Sequence, residues 1–121
     1  MDIRLKLAAE EFARHLNSSQ PVKEFHSAKE IFDHRPEIMQ LRQEFTTRAQ
    51  EFRRKQADHT LTQEDINEMM ALQRRLNSHP ITARYAEAQQ AMVMMLQDCN
   101  MAMSEVLGFD FAATAAPAAS C

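Results

Sequence analysis

From Pro80 to Leu107 the sequence keeps one helical rhythm without a break. Ile81, Tyr85, Ala88, Met92, Met95, Cys99, Ala102 and Val106 recur at spacings of four and three, as residues do when they line one seam against a partner helix. A helix of this length is the element on which the others must pack. Between Ala88 and Gln97 it carries no charged residue, although at 3.6 residues per turn that run covers the whole circumference. Leu96 and Met103 lie to one side of the seam, and Met94 and Met101 to the other. So wide an apolar arc exceeds what one neighbouring helix covers. The long helix is therefore expected to be core and interface together, through Tyr85, Met92, Met94, Met95, Met101 and Met103. Met92 and Met95 fit core packing best, and Met94 and Met101 fit core and interface equally. One partner is the rest of the chain, and the other is expected to be a second copy, because most oligomers are symmetric homo-oligomers.

The rest of the chain must also be helical. One glycine and four prolines in 121 residues leave few places for the tight turns of hairpins, and the abundant Ala, Glu, Gln, Met, Leu and Arg favour helix. Three of the prolines, Pro21, Pro36 and Pro80, read as first-turn residues, where the missing amide hydrogen costs nothing. The expected helices are Ile3 to Leu16, Pro21 to His34, Pro36 to Ala57, one starting just after Thr62, and Pro80 to Leu107. The fourth has the best local start signal: Thr62 as N-cap, Asp65 as its acidic capping-box partner, and Leu61 with Ile66 as the hydrophobic staple. The only glycine, Gly108, falls where a left-handed residue would end the long helix. The sequence thus predicts an all-α, five-helix bundle with long antiparallel helices. Residues 1–111 make the domain, and 112–121 make a flexible alanine-rich tail ending in Cys121.

Chemistry is sparse. The chain has no phosphate-cradling glycine loop, HExxH, CxxC pair or nucleophile elbow, and no catalytic residue is expected. His15 with Glu11 and His26 with Glu30 are helical pairs able to present two metal donors, but solvated roles account for them. His34, His59 and His79 fall at helix junctions, where capping explains them. Cys99 sits in the apolar seam as a small hydrophobe. Cys121, at the chain end, is the one thiol placed to ligate or oxidise. One thiolate cannot hold an iron–sulfur cluster, so such a cofactor would need ligands from other chains.

The net charge of −3 gives no dominant nucleic-acid footprint. Arg48, Arg53 and Arg54, with Arg74 and Arg75 on the next helix, are the residues that would contact RNA. Glu37, Glu44 and Glu51 alternate with the first group, and a salt-bridged solvated face accounts for that mixture better. The N-terminus interleaves charged and apolar residues and does not read as a signal peptide. No stretch reads as a membrane span, and two cysteines without a disulfide framework suggest the cytoplasm.

The run LAAEEFARHLNSSQPVKEFHSAKE, the long helix with LRQEF and AQEF, and the break LNSHPITARYAEAQQAM before the terminal helix together resemble the YlbF/YmcA family of small helical bacterial regulators, from Leu5 to about Phe111. The resemblance implies a non-enzymatic cytoplasmic protein that forms homo-oligomers or hetero-oligomers with related helical chains. It also implies association with the ribonuclease RNase Y in messenger RNA processing, and influence on competence, sporulation and biofilm formation. Some members carry cysteine-bearing C-terminal tails associated with iron–sulfur clusters, and here Cys121 alone matches that feature.

Overall fold

Three helix junctions in this chain are a single extended residue followed by a helix with proline in its first turn. Ser19, Arg35 and His79 have ψ of 148°, 122° and 134°, and Pro21, Pro36 and Pro80 follow them. Each corner residue also returns its amide to the helix just ended, to the carbonyls of Leu16, Ile31 and Leu76. Such junctions turn the chain sharply with almost no loop. The computed structural model describes residues 1–118, and Cys121 lies outside the described residues.

Among the described residues six helices follow in order: α1 Ile3–Ser18, α2 Gln20–His34, α3 Pro36–Ala57, α4 Gln63–Ser78, α5 Pro80–Leu107 and α6 Phe111–Ala115. Among the described residues there is no strand. The all-α class is as expected, but the count is six rather than five. The sixth helix escaped the sequence reading because its alanines carry no periodic signal. Its start is held by side chains at a distance: Ser104 Oγ accepts from the Phe111 amide at 2.8 Å, and Asn100 Oδ1 accepts from the Ala112 amide at 2.8 Å. Asp110 caps it locally, accepting from the Ala113 amide at 3.0 Å. That amide and the Asn100 side chain hold the Asp110 carboxyl below the usual carboxylate range.

The local signals for α4 and α5 are realised. Thr62 Oγ1 accepts from the Asp65 amide at 3.2 Å, and Asp65 Oδ2 accepts from the Thr62 amide at 3.0 Å, which completes the capping box. His79 Nδ1 accepts from the Ile81 amide at 3.1 Å and so caps α5. Gly108 ends α5 with φ 81° and sends its amide to the Ser104 carbonyl.

Packing is concentrated where α2, α3, α4 and the start of α5 meet. Ile38, Leu41 and Leu72 form the buried cluster, with Phe32, Phe45, Leu76 and Ile81 packed against it. Val22 and Ala28 are buried on α2. The chief helix pairs are α2 with α5 and α3 with α4, while α1 packs on α2 and α6 on α5. Neither α1 nor α5 buries any residue. The chain therefore exposes 9475 Å², whereas a compact monomer of its 13.9 kDa exposes roughly 6,700 Å². The long helix is half-buried along the seam that meets α2 and largely exposed elsewhere.

Candidate interaction surface

The side of α5 that meets α2 is built on aromatic rings. Tyr85 stacks on Phe32, with centroids 4.7 Å apart and planes 9° apart, and lies 5.7 Å from Phe25. The guanidinium of Arg42 sits 4.5 Å from the Phe32 centroid. Two planar groups cannot share one face of a ring, so Phe32 is clamped between α5 and α3. Arg84, beside Tyr85, reaches Glu24 and Ser27 on α2. Farther along, Met92, Met95 and Cys99 are half-buried on the same seam.

Away from the seam the helix is open. Met94 is 58% exposed and Met101 68% exposed, and Val93 and Leu96 are exposed as well. Ala86, Gln89, Gln90, Val93, Met94 and Gln97 line a shallow uncharged hollow. Of the six residues expected at an interface, Tyr85, Met92, Met95 and Met103 are half-buried. Met94 and Met101 are left on the surface. The sequence reading omitted a further apolar surface, on α1: Ile3, Leu5, Leu7 and Phe12 are all exposed. Their pattern was legible, but it reads as a core face until the absence of a covering helix is known.

The arginines do not converge. Arg48 pairs with Glu68 at 3.0 Å, and Lys55 with Asp65 at 2.9 Å. These pairs fix the register of α3 on α4 and place Arg74 and Arg75 at the opposite end of the helix pair from Arg53 and Arg54. At 100° per residue Arg48, Arg53 and Arg54 also leave α3 in three different directions. Arg53, Arg54, Arg74 and Arg75 are exposed, yet they form no continuous stripe. Lys55 and the Thr62 cap lower the Asp65 carboxyl to about 2.

Among the described residues no group of three or more His, Cys, Asp or Glu side chains could hold a metal ion. Glu11 approaches His15 at 3.9 Å on an exposed face. Glu30 turns to His34 at 3.3 Å rather than to His26. Cys99 faces the seam without another thiol among the described residues. No helix among them is long and apolar enough to cross a membrane.

A family model described as "Control of competence regulator ComK, YlbF/YmcA" matches residues 6–107. The chain belongs to the YlbF/YmcA family. The matched span runs from the first turn of α1 to the last residue of α5, so the open face of α5 falls within the family domain. By its description this is a regulatory family, concerned with control of competence. No curated protein and no solved structure matches the chain.

Proposed function

We propose that this YlbF/YmcA chain is a non-enzymatic cytoplasmic regulator that works by binding other protein chains through α5. One observation carries the reading: the charge-free run Ala88 to Gln97 leaves Met94 and the neighbouring Val93 and Leu96 in solvent. Methionine is flexible and polarizable, which suits adaptable protein contacts, and large exposed apolar patches mark interaction sites. The proposed partners are further copies of the chain, related helical chains, and RNase Y, with messenger RNA processing as the process adjusted. Competence, sporulation and biofilm formation are the proposed downstream outputs. The mechanism is one of occupancy: the regulator changes what its partner can bind or where it acts, and no bond is made or broken on this chain. An iron–sulfur cluster would need Cys121 together with ligands from other chains.

Affinity purification after nuclease treatment tests this. The expected result is a protein partner, RNase Y among the candidates to be probed directly, that stays bound without RNA and is lost from the double variant Met94→Glu/Met101→Glu. Binding that disappears with nuclease, or with alanine at Arg48, Arg53, Arg54, Arg74 and Arg75, and that weakens steeply with salt, overturns it in favour of direct RNA contact.

A further inference from the structure

The seam of α5 is occupied for only part of its length. Ile81, Tyr85, Ala88, Met92, Met95 and Cys99 are half-buried, but Ala102 is exposed and Val106, next in register, is 87% exposed. Ala102, Met103, Val106 and Leu107 line an apolar hollow at this end. α6 does not fill it, because α6 is tied to Asn100 and Ser104, which lie on the far side of the helix from Ala102 and Val106. The missing neighbour is a helix continuing the path of α2.

The same chain has a helix without a seat. α1 buries none of its sixteen residues, and Leu5 is 64% exposed on the face it shares with Ala8, Ala9 and Phe12. A helix of this length is marginal in water unless its apolar face is packed. It leaves α2 at the Ser19 corner, where both the amide and Oγ of Ser19 bond the Leu16 carbonyl, at 3.1 Å and 2.5 Å. That corner keeps α1 from running on along its own α5.

We propose that two copies exchange these elements, the α1 of each lying in the open end of the other's α5 seam. This rests on reading the apolar faces of the chain as protein-binding surfaces, and it names one occupant for one of them. Charge supports the match. After Arg84 the chain has no further Lys or Arg, and Glu87, Asp98, Glu105 and Asp110 follow, whereas the first turns of α1 bring Arg4 and Lys6, its acids Glu10 and Glu11 coming later in the helix. The last turn of α5 holds no basic residue, so a partner's Arg4 or Lys6 would complement the negative end of its dipole. Area supports it too. The chain exposes roughly 2,800 Å² more than a compact monomer of its mass, and a stable interface takes about 800 Å² from each partner. An exchange between two copies is self-complementary and closes as a two-fold dimer.

The test is complementation between two variants of the full chain, followed by light scattering on a sizing column under reductant. Leu5→Asp spoils the arm and Val106→Asp spoils the seam. Both positions are exposed, and circular dichroism checks that helix content is kept. The wild type is expected to be a dimer at micromolar concentration, and each variant alone to dissociate with affinity weakened at least about tenfold. An equimolar mixture of the two is expected to regain a dimer, because the intact arm of one fits the intact seam of the other. A monomeric wild type, dimers indifferent to both substitutions, or variants that fail to complement each overturn the exchange. Loss of partner capture by the Met94 and Met101 substitutions is read separately, so the exchange and the regulatory reading fail independently.

Discussion

Tyr85 on α5 lies flat against Phe32 on α2, 4.7 Å between ring centroids, and this stack joins the long helix to α2. Arg42 closes the other face of Phe32 and also approaches Asp33 at 3.7 Å. Tyr85→Ala is expected to destabilise the chain by about 2–3 kcal/mol, less than a fully buried aromatic because the ring is half-exposed. Tyr85→Phe should stay within about 0.5 kcal/mol. Urea unfolding followed by circular dichroism measures both. Equal losses for the two variants would mean that the hydroxyl, not the stack, matters.

Ile38 is 0% exposed and is the largest side chain wholly out of solvent. Among the described residues its buried cluster holds just Leu41 and Leu72 besides. Ile38→Ala is expected to cost about 2–5 kcal/mol, a large fraction of the stability of a chain this size. Met94→Ala, on the open face, should cost under about 0.5 kcal/mol. Thermal melts of the two variants give the contrast.

Asp65 takes part in both the capping box and the Lys55 ion pair, and its carboxyl is lowered to about 2. Because the folded value lies below the unfolded one, the folded state favours the charged form. Its contribution is complete above about pH 4 and is lost as pH falls toward 2. Asp65→Asn is therefore expected to flatten the fall in stability over that window, measured by urea midpoints at successive pH values. Thr62→Ala, which removes the other half of the box, should cost about 1 kcal/mol.

Gly108 has φ 81°, and a Cβ built there would meet nothing within 4 Å. Gly108→Ala should therefore cost only the strain of a left-handed alanine, about 1 kcal/mol, and Gly108→Asn less. Chemical denaturation decides it. A larger loss would point to a contact of this turn within an assembly.

Much of the backbone was legible from local chemistry. Pro21, Pro36 and Pro80, the Thr62 and Asp65 pair and Gly108 specify where helices start and stop through hydrogen bonds and torsions inside a few residues. Hence α3 and α5 begin and end where the sequence places them. The heptad-like spacing on α5 likewise foretold which residues face α2, because side-chain direction follows from helical periodicity alone.

Periodicity says which face is apolar but not how far a neighbour extends along it. Val106 follows Cys99 in the same seam, yet one is bare and the other half-buried, because coverage depends on where α2 stops and how sharply Ser19 turns α1 away. The short α6 depends on Asn100 and Ser104 reaching across to amides more than six residues later, which no local pattern encodes. The sequence by itself determined the helices, their caps and their apolar faces, all short-range consequences of residue type. Only the tertiary structure decided that α1 and the end of α5 lack partners within the chain, since burial is a property of the whole arrangement.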